Sequence, residues 1–277
     1  MTQVINIEEK PNTTGALLKA SLTKRTTNGD IPNVTYKWTR TIDREDLTNY
    51  QRLCGYKVND ELPHTYPHIL GFPLQSLLLT REDFPLALPG LVHISNKTRA
   101  IQPISVNDTV TMRVHASPLT SHPKGSTITI FTSATVDGEV RWESESVYLH
   151  RGKPRGVTGE QQQRPEVPAN FPCASWKLPA DLGRQYAKVS GDINPMHLNP
   201  LAAKALGFPR TIAHGMWTYA RTVAFLGLAG QPATTEVFFL KPVLLPGKVD
   251  VRVNDDHSVA ALTSGSDKVH LLVKVDA

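Results

Sequence analysis

The sequence predicts an α+β fold in two similar halves, each a long helix packed on an antiparallel sheet. Three observations carry this reading. Helical patterns precede a group of period-two strands, and the same order then repeats once. Between the two groups, residues 151–167 are rich in Gly, Gln, Arg and Pro and show no periodicity. Finally, Tyr50-Gln-Arg-Leu-Cys-Gly55 aligns with Tyr186-Ala-Lys-Val-Ser-Gly191, and the block from Pro103 to Val114 aligns with the block from Pro242 to Val253, at offsets of 136 and 139. Chance matches would not share so nearly one spacing. The implied organisation is a first domain over 1–155, a linker over 156–168 and a second domain over 169–277.

Taken in order, residues 1 to about 30 are polar and read as an arm, with one helical turn around Ala16–Leu22. Val34–Thr39 is the first strand. Asp43–Cys54 has Leu47, Tyr50 and Leu53 at helical spacing and stops at Gly55. Pro63, Pro67 and Pro73 interrupt the chain before an apolar helix over Leu74–Thr80. Leu91–Ala100, Thr109–Ala116, Ser126–Val136 and Glu139–His150 alternate as strands. Asp137-Gly138 supplies a hairpin turn between the last two. After the linker, Arg184–Val189 is helical, and Thr235–Leu240, Lys248–Val253, Ser258–Thr263 and Lys268–Val275 are strands.

The chemistry is concentrated between Tyr186 and Trp217. Gly191, Asp192, Asn194, Pro195 and His197 fall within seven residues. A turn-forming Asn-Pro between a carboxylate and an imidazole lets the two converge on one small volume. Asn199-Pro200 reads as an N-cap with proline at the first helical position, opening a short helix over Leu201–Leu206 that Gly207 ends. A further helix starts near His214-Gly215, where the Gly215 N–H lies at a helix N-terminus suited to developing negative charge.

Tyr186, the run Ser190-Gly191-Asp192-Ile193-Asn194-Pro195-Met196-His197, Gly207-Phe208, Ile212-Ala213-His214-Gly215-Met216, Leu240-Lys241-Pro242-Val243 and Leu245-Pro246-Gly247 together resemble the signature of the MaoC-like, hydratase 2 group of hot-dog proteins. The resemblance implies a tandem double hot-dog and an enzyme that adds water to, or removes it from, an acyl thioester on coenzyme A or acyl carrier protein, with a (3R)-hydroxyacyl product. It makes Asp192 and His197 the pair that holds the water, Asn194 the group that orients water or carboxylate, and the Gly215 N–H the donor to the thioester oxygen. Asn199 departs from the aspartate common among relatives, yet still suits a cap. In the first half Tyr56 stands opposite Asp192 and no histidine follows at the matching distance. His64 and His68 lie outside the Asp-x-Asn-Pro frame and are expected to be dispensable for turnover. One competent site is therefore expected, with the degenerate half making room for the acyl chain.

Asp192 and Asn194 could be plain turn residues, and Asp192, His197 and His214 could hold a metal, although their spacing matches no zinc pattern. Lys204, Arg210 and Lys241 read as solvated surface, while Tyr186, Trp217 and Tyr219 read as core. A hot-dog thioesterase or a non-catalytic acyl-thioester-binding subunit are the alternative functions. The expectation is no metal and no cofactor. The formal charge of +5 and isoelectric point near 9.2 come without a dense basic run or a nucleic-acid motif, so no nucleic-acid partner is expected. Cys54 and Cys173 lie far apart in no metal or redox spacing, as expected of reduced thiols in the cytoplasm. No apolar run is long enough for a membrane span or leader. A monomer of two halves or a homodimer is the expected assembly.

Overall fold

A single path of strands runs through the whole molecule in the computed structural model, which describes residues 2–12, 14, 15, 17, 20, 29–88, 90–159, 163–265 and 268–276. The first half comprises β1 (Gln3–Ile7), β2 (Val34–Thr41), α1 (Arg44–Cys54), α2 (Tyr66–Leu79), β3 (Leu91–Ala100), β4 (Thr109–Ala116), β5 (Thr120–His122), β6 (Gly125–Val136) and β7 (Glu139–Arg151). The short β8 (Val157–Thr158) follows. The second half comprises β9 (Ala174–Leu178), α3 (Leu182–Ser190), α4 (Pro195–Leu198), α5 (Pro200–Ala205), α6 (Gly215–Phe225), β10 (Ala233–Phe239), β11 (Gly247–Val253), β12 (Val259–Ser264) and β13 (Lys268–Asp276). The sheet order is β1-β2-β4-β6-β7-β3-β10-β13-β12-β11-β9.

The order is a palindrome of roles. Strands β2-β4-β6-β7-β3 build the first half, and β9-β11-β12-β13-β10 build the second with the same connectivity. They join where β3 pairs antiparallel with β10, from Ala100↔Ala233 to Ser95↔Phe238. That pairing covers two strand edges that would otherwise expose unpaired backbone groups. The arrangement is the expected tandem of two helix-on-sheet units.

Alternation along each strand supplies the inner face. Val110, Met112 and Val114 of β4 and Ile128 and Ile130 of β6 are buried beneath Leu70, Leu74 and Leu78 of α2. In the second half, Tyr219, Ala220 and Val223 of α6 share the core with Val237, Val249, Val251, Leu271 and Val273. Each fully buried aliphatic side chain contributes roughly 1.5–3 kcal/mol. The halves also touch through their smaller helices, with the rings of Tyr50 on α1 and Tyr186 on α3 at 6.3 Å. Both helices end at a left-handed glycine, Gly55 with φ 77° and Gly191 with φ 73°, which a side chain would strain.

Three expectations about elements are corrected. Helix α2 begins at Tyr66, eight residues before the expected Leu74, because Pro67 lies in the first turn, where no backbone donor is needed, and Pro73 is held by burial of both flanks. Within the arm, Gln3–Ile7 forms β1, parallel to β2. Its helical turn at 16–22 falls largely outside the described residues. Ala174–Leu178, given no assignment in the sequence, is β9 and pairs with β11 as β2 pairs with β4. Between the halves, β8 lies against β5, and the Arg155 backbone N–H donates to Ser126 Oγ at 2.8 Å.

Candidate active site

Helix α3 delivers the chain to a turn built by short side chains acting in series. Ser190 Oγ accepts from the Asp192 N–H at 3.1 Å, and Asp192 Oδ1 accepts from the Asn194 N–H at 3.1 Å. Asn194 Oδ1 then accepts from the Met196 N–H at 3.4 Å and caps α4, with Pro195 as its first residue. Local bonds of this kind fix a tight turn without neighbouring elements. Asn194 thus orients the carboxylate through its backbone, while its own side chain serves the helix. Asn199 caps α5 through Oδ1, accepting from Leu201 N at 2.8 Å and Ala202 N at 3.3 Å, ahead of Pro200.

His197 projects from α4, and its ring is fixed from the next segment. Nδ1 lies 2.8 Å from the Ile212 carbonyl oxygen, which can only accept. The hydrogen is therefore on Nδ1, and Nε2 carries the lone pair. Burial draws the His197 pKa below the usual histidine value, with the Asp192 charge and the Ile212 bond opposing. At neutral pH the ring is an uncharged acceptor. Gly183 of α3 explains how α4 comes so close, since a Cβ there would lie 2.0 Å from the His197 carbonyl oxygen.

His214 lies beneath the pair. Its ring stacks on His197 with centroids 3.7 Å apart, and its Nε2 donates to the Asp192 backbone oxygen at 3.0 Å. The Asp192 carboxylate is farther, at 3.8 Å. His214 occupies the N-cap of α6 but makes no side-chain cap. Burial first, and then His197 beside it, push its pKa down to about 3. His214 is a positioning residue that the sequence placed in the motif without a contact. Its signal there was a histidine, not a Ser, Asp or Asn, at a helix start.

Gly215 opens α6, and no acceptor among the described residues takes its N–H. A Cβ at this position would lie 3.0 Å from the Phe239 ring, so glycine lets β10 approach the amide. Asp192, His197 and His214 each offer an atom within 4.8 Å of the other two. Two of their four ring nitrogens point hydrogens at carbonyls, and the rings are stacked, so their lone pairs do not converge as a tetrahedral cation site requires.

The first half shows what this site looks like when dismantled. The bonds Leu62 N–H to Ile104 O and Val106 N–H to Asp60 O repeat Ala213 N–H to Val243 O and Leu245 N–H to Thr211 O. Equivalent residues are thus offset by 151 here, against 136 at the preceding glycines. The fifteen residues missing from the first half correspond to the stretch that carries α4, α5 and His197. His64 stands where the second half has Gly215, and its N–H is taken by the Ala229 carbonyl. The two histidines set outside the motif part company. His64 Nε2 bonds Thr235 Oγ1 at 2.7 Å, whereas His68 lies within the field of Asp192.

With this geometry in hand, the relatives of the chain are informative. Residues 157–271 match the model of the MaoC like domain. The 3-hydroxyacyl-thioester dehydratase X of Mycobacterium tuberculosis is 36% identical over 217 residues, spanning 76% of each chain. The crystal structure of HtdX from the same organism superposes with a TM-score of 0.73 at 32% identity, covering 86% of this chain and 98% of that one. A conserved hypothetical protein of that organism, described as a double hotdog fold, superposes at 0.51 with 12% identity and shares the fold alone. The protein is a double hot-dog of the hydro-lyase class. It belongs to the MaoC-like dehydratase family.

Proposed function

We propose that the protein catalyses the reversible hydration of trans-2-enoyl thioesters to (3R)-3-hydroxyacyl thioesters, with the substrate carried on coenzyme A or acyl carrier protein. The observation that carries this is an Asp192 carboxylate and a neutral His197 acceptor held beside the free Gly215 amide. Water rests between Asp192 and His197 Nε2. Its oxygen adds to C3 as one member of the pair takes its proton, and the C2=C3 electrons move toward the thioester oxygen. The Gly215 N–H stabilises that oxygen's charge. The residue that took the water's proton then delivers it to C2 while the other holds the water in place, which completes the addition of one water and returns the pair to its starting state. Dehydration is the same path reversed. Proton transfers and an amide donor suffice, so the reaction calls for no metal or cofactor.

Two further readings accompany this one. Cys54 and Cys173 are free, which suits a reducing cytoplasm, and among the described residues no helix is long and apolar enough to cross a membrane. One chain holds both halves and every site residue, so a monomer or a homodimer serves equally, with no nucleic-acid partner.

A panel of trans-2-enoyl-CoAs of increasing length, followed by loss of the conjugated-thioester absorbance, tests the function. Hydration of at least one member is the expected result. Release of free coenzyme A from saturated acyl-CoAs would instead make the protein a thioesterase, and binding with neither reaction would make it a carrier.

A further inference from the structure

The wall of the site continues from Gly215 into the first half, and its chemistry there is polar. Phe239 packs on Gly215 at the end of β10. Its ring centroid lies 4.9 Å from that of His93 on β3, which stacks on Tyr148 of β7 at 4.4 Å. His68, near the start of α2, faces His93 in a near-parallel orientation at 6.4 Å. The Asp192 carboxylate acts through space on both His68 and Tyr148, and Phe239 touches both Gly215 and His93, so the cluster lies beside the Asp-His pair.

Two nitrogens in this wall lack a partner among the described residues, His68 Nδ1 and His93 Nε2. His68 is only 3% exposed. A buried polar atom left unpaired costs about 1–3 kcal/mol, and such a group calls for a partner. The polar side chains deeper on the same strands make no such demand. Asn96 donates to Ser144 Oγ at 2.7 Å and Ser146 Oγ at 2.9 Å, and it accepts from Thr98 at 2.7 Å. On this part of the wall the unmet hydrogen-bonding capacity falls on the two imidazoles, as it does nearer Asp192 on His214 Nδ1 and the Tyr186 hydroxyl.

We propose that His68 and His93 form an acyl subsite that selects thioesters carrying a neutral hydroxyl or oxo oxygen on the carbons just beyond C3. The proposal rests on the hydratase reading and refines its substrate class. Burial holds His68 and His93 at pKa values of about 4 and about 3, so both are uncharged at neutral pH, and each presents one open nitrogen that a hydroxyl can meet as donor or acceptor. A plain alkyl chain would desolvate these nitrogens without pairing them. A carboxylate would meet the negative charge of Asp192 with no cation from either ring. A neutral oxygen function satisfies the wall without either cost.

The test compares trans-2-hexenoyl-CoA with its 5-hydroxy derivative in the parent, His68→Leu, His93→Leu and His68→Gln. The parent is expected to favour the hydroxylated substrate by about tenfold in kcat/KM, through KM, the scale of one buried hydrogen bond. Each leucine variant should bring the ratio near one, and His68→Gln, which keeps a hydrogen-bonding group, should restore part of it. A parent ratio near one, or a ratio unchanged in the leucine variants, overturns the subsite. Should those variants fail to fold, the affinities of 5-hydroxyhexanoyl-CoA and hexanoyl-CoA for the parent decide, and equal affinities overturn it. If the parent hydrates both substrates without preference, only the subsite falls. If it hydrates neither, the hydratase reading falls, and the two affinities still judge the subsite.

Discussion

Within the site, few residues carry the chemistry and several others hold them still. Asp192→Asn and His197→Ala are each expected to lower enoyl-thioester hydration by about a hundredfold or more, the scale of a positioned acid or base. Because both act on one water, the double variant should be little worse than either single one, and additive losses measured in steady-state kinetics would refute shared action. Gly183 is farther from the chemistry and makes a sharper case. A Cβ there meets the carbonyl of His197 itself, so Gly183→Ala has to push α4 away. Its expected signature is at least a tenfold loss in kcat with the Ile212–His197 bond disturbed, while glycine replacement in a helix otherwise favours stability. An alanine variant with parental kcat would show that α4 tolerates displacement.

Among the elements, legibility followed the range of the forces involved. The turn from Ser190 to Met196 and the cap at Asn199 are made by neighbours in sequence, so residue types alone revealed them. Asn199→Ala should therefore loosen α5 by about 1 kcal/mol, seen as faster hydrogen exchange at Leu201 and Ala202, and Asn199→Asp should restore protection. Elements specified at a distance were harder to read. Strand β1 has only five residues and exists through parallel pairing with β2. Strand β9 alternates correctly, but the Pro-rich stretch before it masked its start. The two prolines in α2 read as breaks because nothing in the sequence shows how deeply that helix is buried. The same limit hid part of the site. Asp192, His197 and Gly215 are framed by a motif, whereas His68 and Tyr148 come within the field of Asp192 only through the packing of α2 and β7 of the first half.

For the whole molecule, buried histidines set the response to acid. Burial lowers the pKa of His64 and His68 to about 4, and that of His93 and His214 to about 3. Unfolded, each returns to about 6.5. Between those values the unfolded chain binds more protons than the native one, so stability is complete above pH 6.5 and falls as the pH drops toward 4. Denaturant midpoints are expected to be level from pH 8 to 7 and to decline steeply between 6 and 4.5, and a flat profile there would mean these rings are solvated.

The pairing of β3 with β10 has a consequence for how such a molecule changes over generations. In a symmetric pair of identical chains, one gene writes both surfaces of the seam, and any deletion appears twice. Here the two surfaces are written separately and remain tethered, so the partner is never lost to dilution. One copy could then shed the fifteen residues that carry α4, α5 and a histidine, and close its own amide with Ala229, while the other kept both. Tethering converts a redundant second site into free sequence, which can change without costing the site in the other half.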